Sequence, residues 1–203
     1  ILAGGRSARM GQDKARLPWG CSTLLEHVIG TLGPLVDELL IAVDDVGRFR
    51  DLPVRVVEDL VPGAHALGGL YTGLRSATHP YCFVCGCDAP FLNARLIRWL
   101  IAQADGFDAV IPRTREGLQP LHAVYARSAL RGIEEQLRRQ RWDLKALAMT
   151  LRVNVIAAEA LHPFDPGGLS FVNLNTPEGY ARACALQRGD DTRHRPTTAP
   201  PVK

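Results

Sequence analysis

No apolar run in this 203-residue chain approaches the roughly 20 residues that a membrane-spanning helix needs. The first residues also lack a basic stretch followed by an apolar segment and a small-residue cleavage site. A cytoplasmic location without a membrane partner is therefore expected; the chain opens at Ile1 rather than at a methionine, so residues upstream of it are expected as well. Strong charge of either sign is missing too. Lys and Arg number 24 against 21 Asp and Glu, a net of +3, which argues against wholesale binding to nucleic acid or a membrane surface. Any positive charge that matters must be local. Cysteines number only 5, and the C-x-x-C-x-C of Cys82, Cys85 and Cys87 has no second Cys or His pair at metal-ligand spacing. Metal or redox chemistry is one use of such a cluster. The spacing favours the other, three small apolar side chains on a buried strand, and the odd count argues against a disulfide framework.

What the chain does have is a regular alternation. Short β-branched runs occur at "ILA", "LLIAV" (39–43), "VRVVED" (54–59), "YCFVCGCD" (81–88), "DAVIP" (108–112), "LHAVY" (121–125), "VNVIAAE" (153–159) and "FVNLN" (171–175). These read as strands. Between them lie helical stretches with start signals: Thr23 with Glu26 as a capping box, Asn93 ahead of the Leu96, Ile97, Leu100, Ile101, Ala104 face, and Thr176-Pro177-Glu178. Strand and helix in turn predict an α/β three-layer sandwich with a mostly parallel, doubly wound sheet and helices on both faces. With 46% hydrophobic residues, a single domain over 1–187 can bury a full core. From Arg188 to Lys203 almost nothing apolar remains, so that segment reads as a disordered tail.

"LAGGRSARMGQDK" (2–14) sits directly after the first strand. In open parallel sheets, ligands bind just outside the carboxyl ends of the strands. Gly4 and Gly5 let the backbone approach a ligand with no Cβ in the way, so that amides can face an anion, and Arg6, Arg9 and Lys14 add charge. Two common phosphate motifs do not fit: Gln12 rather than lysine follows Gly11, and G-x-G-x-x-G is absent. The loop is then expected to be a phosphate loop of a third kind, or else a solvated turn with incidental basic residues. Ser7 either donates to a phosphate or serves the turn.

Other polar residues are expected at the same rim. Asp88 ends an apolar strand, where a carboxylate would hold a hard cation bridging phosphates, or would cap a turn before Ala89-Pro90. Asp59 ends "VRVVED" and is otherwise a turn aspartate before Pro62-Gly63. Asn173 and Asn175 alternate on "FVNLN" and point one way, into the metal or triphosphate site or into water. His65 and His122 stand out, His122 either lying near the acceptor pocket or, as is more common for a strand histidine, structural, and "LRRQR" (137–141) reads as a solvated helix end.

The stretch 2–14 resembles the signature L-A-G-G-x-S-x-R-M-G-x-D-K of the molybdenum cofactor guanylyltransferases, within the nucleotide-diphospho-sugar-type nucleotidyltransferases. "VVEDLVPGAHALGGL" (56–70), "CGCDAPFL" (85–92) and "FVNLNTPEGY" (171–180) follow in the order that family shows. The resemblance implies transfer of GMP from GTP to molybdopterin or its molybdenum-loaded form, with release of pyrophosphate and Mg²⁺ as cofactor. It implies catalytic roles for Arg9, Lys14 and Asp88. Nucleotide contacts fall on Leu2, Ala3, Gly4, Gly5, Ser7, Lys14, Asp59 and Asp88, and metal ligation on Asp88 and Asn175, with Asn173 a further candidate. GTP and molybdopterin are the implied substrates, and transient contact with molybdoenzymes or cofactor chaperones is expected. Two departures bear on base recognition: family members commonly carry a proline-containing G-P-L-x-G-L where this chain has "HALGGL" (65–70), and no polar strand-end residue stands out in "IAVDD". A cytidylyltransferase, a sugar-phosphate nucleotidyltransferase and a non-catalytic nucleotide-binding module are the rival readings.

Overall fold

A computed structural model describes residues 1–4 and 13–191. After a single 3-10 turn at Lys14–Arg16, β1 (Pro18–Trp19) and β2 (Ser22–Thr23) form a short antiparallel hairpin around Gly20, whose φ of +59° suits glycine. Thr23 then caps α1 (Leu24–Leu32) in the expected reciprocal box with Glu26. β3 (Leu40–Val43) and β4 (Arg55–Glu58) pair in parallel, and α2 (His65–Ser76) leads to β5 (Tyr81–Cys85). Asn93 caps α3 (Ala94–Ala102) by accepting from the Arg95 and Leu96 amides. Next come β6 (Ala109–Thr114), β7 (Gly117–Leu118), β8 (His122–Ala126), α4 (Leu130–Arg138) and α5 (Leu144–Ala148). β9 (Val153–Ile156), α6 (Ala158–Leu161) and α7 (Pro177–Asp191) complete the described chain. α7 continues past Arg188, the expected start of the tail, to Asp191; residues 192–203 lie outside the described residues.

Leu2 bridges Ala42 and Gly86 in parallel, so the opening segment is the central strand between β3 and β5. The lateral order is β4, β3, the Leu2 segment, β5, β8, β6 and β9, with β7 hairpinned onto β6. Every neighbouring pair along that order is parallel except at β8, which runs antiparallel to both β5 and β6. The sheet is therefore mostly parallel, as expected. The exception has a simple cause: residues 115–121 between β6 and β8 are too few for a crossover helix, so the chain can only turn back.

Helices cover both faces. Val84, Ile111 and Tyr125 meet Leu67, Leu70 and Leu74 of α2 and Ile133 of α4 on one side. Their strand neighbours face the other way: Cys85 joins Ile41 and Val43 against Val28 of α1 and Ile97 of α3, while Val110 and Val124 meet Leu96 and Leu100. Full burial of each such leucine or isoleucine contributes about 1.5–3 kcal/mol. Cys85 behaves as part of this layer, with burial pushing its thiol up to about 11.

"FVNLN" does not become a strand. Residues 169–171 make a 3-10 turn, and the extended residues after it spend the Leu174 amide on the Asp88 carbonyl, 3.0 Å, rather than on a strand ladder. That one bond still matters, because it ties the two asparagines to the loop after β5.

Candidate functional site

The site grows from the carboxyl ends of the central strands. Asp13 caps the first 3-10 turn, its Oδ1 accepting the Ala15 amide at 3.1 Å, and the turn projects Lys14 over the rim. Lys14 Nζ donates to Asp88 Oδ2 at 2.9 Å and to Asn175 Oδ1 at 2.6 Å. The two side chains of the ion pair are only 16% and 18% exposed. Asp88 can reach back because Gly86 has no Cβ: one placed there would stand 2.5 Å from Asp88 Oδ1. Three residues predicted for one site thus meet across the chain.

The remaining predicted residues are placed less uniformly. Ala3 donates to Ala42, Gly4 packs at the rim against the backbone of Val43 and Asp44, and Leu2 lies against Gly69. Gly5, Ser7 and Arg9 lie outside the described residues. Asp59 continues from β4, and its Oδ1 accepts from the buried Thr72 hydroxyl and the Val61 amide, both at 3.0 Å. The same carboxylate is packed on Gly68, where a Cβ would meet it at 2.8 Å, so "GGL" permits α2 to sit against the turn at 59–61. His65, first residue of α2, holds a left-handed φ of +53°, which glycine adopts freely and a larger residue does not. Asn173 faces the same cleft as Asn175 while its amide makes only a long contact to the Phe171 carbonyl, 3.4 Å.

That cleft, of about 1010 Å³, opens beside Asn175. Its walls are Thr114, Arg115 and Glu116 from the β6–β7 turn and Glu159, His162, Asp165 and Phe171 from the segment after β9. None of these residues stands out in the sequence. The one local signal is the "FDPGG" loop (164–168), where Asp165 accepts the Leu169 and Ser170 amides.

His122 lies beneath the cleft, against its wall residue Phe171. It is 3% exposed, packs edge-on against Phe83 and under Phe171, and neither ring nitrogen has a hydrogen-bond partner among the described residues. Burial lowers its pKa from 6.5 to about 4; Asp165 and the nearby Ser170 backbone favour the charged ring but do not offset that. Between these two values the unfolded chain binds a proton that the folded protein refuses. Stability should therefore fall by about 3 kcal/mol as pH drops from 6.5 to 4. Urea midpoints across that range should show the loss in the wild type and a smaller one in His122→Leu. Equal acid sensitivity in both would relocate the effect to other groups.

Residues 1–153 match the family described as the MobA-like NTP transferase domain. A relative in Pelotomaculum thermopropionicum, named probable molybdenum cofactor guanylyltransferase, is 36% identical over 192 residues, covering 95% of this chain and 94% of the relative. One in Desulfosudis oleivorans, named molybdenum cofactor guanylyltransferase, is also 36% identical, with 93% and 95% covered. Among solved structures, molybdopterin-guanine dinucleotide biosynthesis protein A from Archaeoglobus fulgidus superposes with a TM-score of 0.82 at 26% identity, over 93% of this chain and 97% of that one. The 2-C-methyl-D-erythritol 4-phosphate cytidylyltransferase of Thermus thermophilus, at 21% identity and a TM-score of 0.66 over 89% and 96% of the two chains, shares the fold.

Proposed function

Because the chain belongs to the MobA-like NTP transferase family, we propose that it transfers GMP from GTP to molybdopterin or its molybdenum-loaded form. The observation that carries this is Lys14 held between Asp88 and Asn175 at the edge of the large cleft. The rim at Gly4 receives the triphosphate, with Lys14 as a positive charge beside it; Arg9, outside the described residues, is assigned the same charge-neutralising role. Leu2, Ala3 and Asp59 flank the nucleotide. The cleft takes the acceptor.

Asp88 and Asn175 already turn oxygen atoms toward a cation, the Lys14 ammonium, and this donor pair suits a hard divalent ion that completes its shell from phosphates and water. Mg²⁺ held there, with Asn173 within reach of the same cleft, would neutralise charge on the transferring phosphate. An oxygen of the acceptor's terminal phosphate attacks the α-phosphorus of GTP in line. The bond from that phosphorus to the bridging oxygen breaks, and pyrophosphate leaves with the electron pair. No side-chain base is required, because a phosphomonoester, with a second pKa of about 6, is already ionised near neutrality. The protein contributes placement and fixed charge instead.

Pyrophosphate release measured with each of the four nucleotides, with and without molybdopterin, tests this. Release should need both GTP and the pterin. Each buried base-edge group left unpaired by a wrong base costs about 1–3 kcal/mol, so CTP should be a poor substrate. Faster release with CTP would make the protein a cytidylyltransferase. Tight GTP binding with no release would favour a non-catalytic module.

A further inference from the structure

The two described segments that flank residues 5–12 rest on β3 and on the residues that follow it. At the first, Ala3 donates to Ala42 and Gly4 packs on Val43 and Asp44. At the second stands Arg48, from the 3-10 turn Val46–Phe49. Arg48 Nη2 donates to Asp13 Oδ2 at 2.6 Å, and Nη1 donates to Asp44 Oδ1 at 2.9 Å. Its guanidinium lies over the buried ring of Phe49, 5.2 Å from the centroid, and Arg16 shares that ring at 5.4 Å. Asp13 turns its other oxygen to the Ala15 amide as cap of the turn that carries Lys14. One guanidinium thus joins the residue after β3 to the residue before Lys14.

We propose that Arg48 is a positioning residue for the transfer: by bridging Asp44 and Asp13 it ties the end of β3 to the turn from which Lys14 reaches Asp88 and Asn175, and so sets that turn. This rests on the function proposed above for Lys14. Energetics separate the role from mere stability. The Arg48, Asp13 and Asp44 side chains are about a third exposed, 32%, 30% and 41%, and exposed ion pairs add little to folding. Placement is a different matter, since a shift of about 1 Å in a catalytic group can cost roughly 100-fold in rate. Lysine could not replace it. Two separate nitrogens address two carboxylates while the planar face lies on Phe49, and a single ammonium offers neither.

The test compares Arg48→Met and Arg48→Lys with the wild type for kcat and GTP KM in pyrophosphate release, with melting temperatures alongside. Arg55→Met, which removes a surface pair with Glu38 distant from the loop, serves as the control. Arg48→Met should lower kcat by roughly 30- to 100-fold with little change in melting temperature, Arg48→Lys should recover only a small part, and the control should keep wild-type turnover. Dissociation constants for Mg²⁺·GTP then complete a cycle with Lys14→Met. Arg48→Met should weaken binding by roughly 10-fold when Lys14 is present and add almost nothing when it is absent. Wild-type kcat in Arg48→Met, full recovery by lysine, or equal weakening in both backgrounds would overturn the proposal. A wild type that binds GTP but transfers nothing would sink the guanylyl reading instead, and the binding cycle would still decide whether Arg48 places Lys14.

Discussion

Replacing Lys14 by methionine should lower pyrophosphate release by roughly 100- to 1,000-fold, the scale seen when one preorganised charge-stabilising donor is removed. Among the described residues its ammonium bonds Asp88 and Asn175 at the rim. The stability cost should be far smaller. Losing one partner of a fully buried pair leaves a stranded charge, which is costly. Here the Asp88 side chain keeps some exposure to water, and the backbone bond from Leu174 to the Asp88 carbonyl remains in place. A loss of about 1 kcal/mol is expected, as for a partly exposed pair. Turnover, GTP KM and melting temperature measured on one preparation separate the two effects. Activity that survives, or that falls only in step with the melting temperature, would remove Lys14 from the phosphate site.

Asp88→Asn is expected to be nearly as damaging and to reveal itself through the metal. The substitution keeps the shape of the side chain and the backbone carbonyl that receives the Leu174 amide, so the loop after β5 should hold its place. What disappears is the negative charge that a hard cation needs. Turnover at saturating GTP should drop by roughly 100-fold or more, and Mg²⁺ titration should require higher concentrations to reach its plateau. A parallel titration with Mn²⁺ distinguishes a weakened ion site from a misfolded one. Normal Mg²⁺ dependence in this variant would place the cation elsewhere.

The layered fold and the position of the rim are legible in the sequence. Alternation of β-branched runs with capped helices predicts the layered fold, because side-chain period and capping chemistry are local properties. Gly4 at a strand end and the basic residues after it point to an anion site for equally local reasons. Tertiary structure decided the rest. The antiparallel course of β8 follows from a connection too short for a helix, and "FVNLN" is no strand because its Leu174 amide goes to the loop after β5 instead of a ladder. The cleft walls at 114–116 and 159–171 carry ordinary surface residues, so their chemistry appears only once β6 and the segment after β9 are adjacent. Lys14 meets Asp88 across 74 residues and Asn175 across 161, and Arg48 meets Asp13 across 35. Sequence spacing carries no signal for such pairs, because contact at those separations depends on strand order in the sheet and not on the period of any single element.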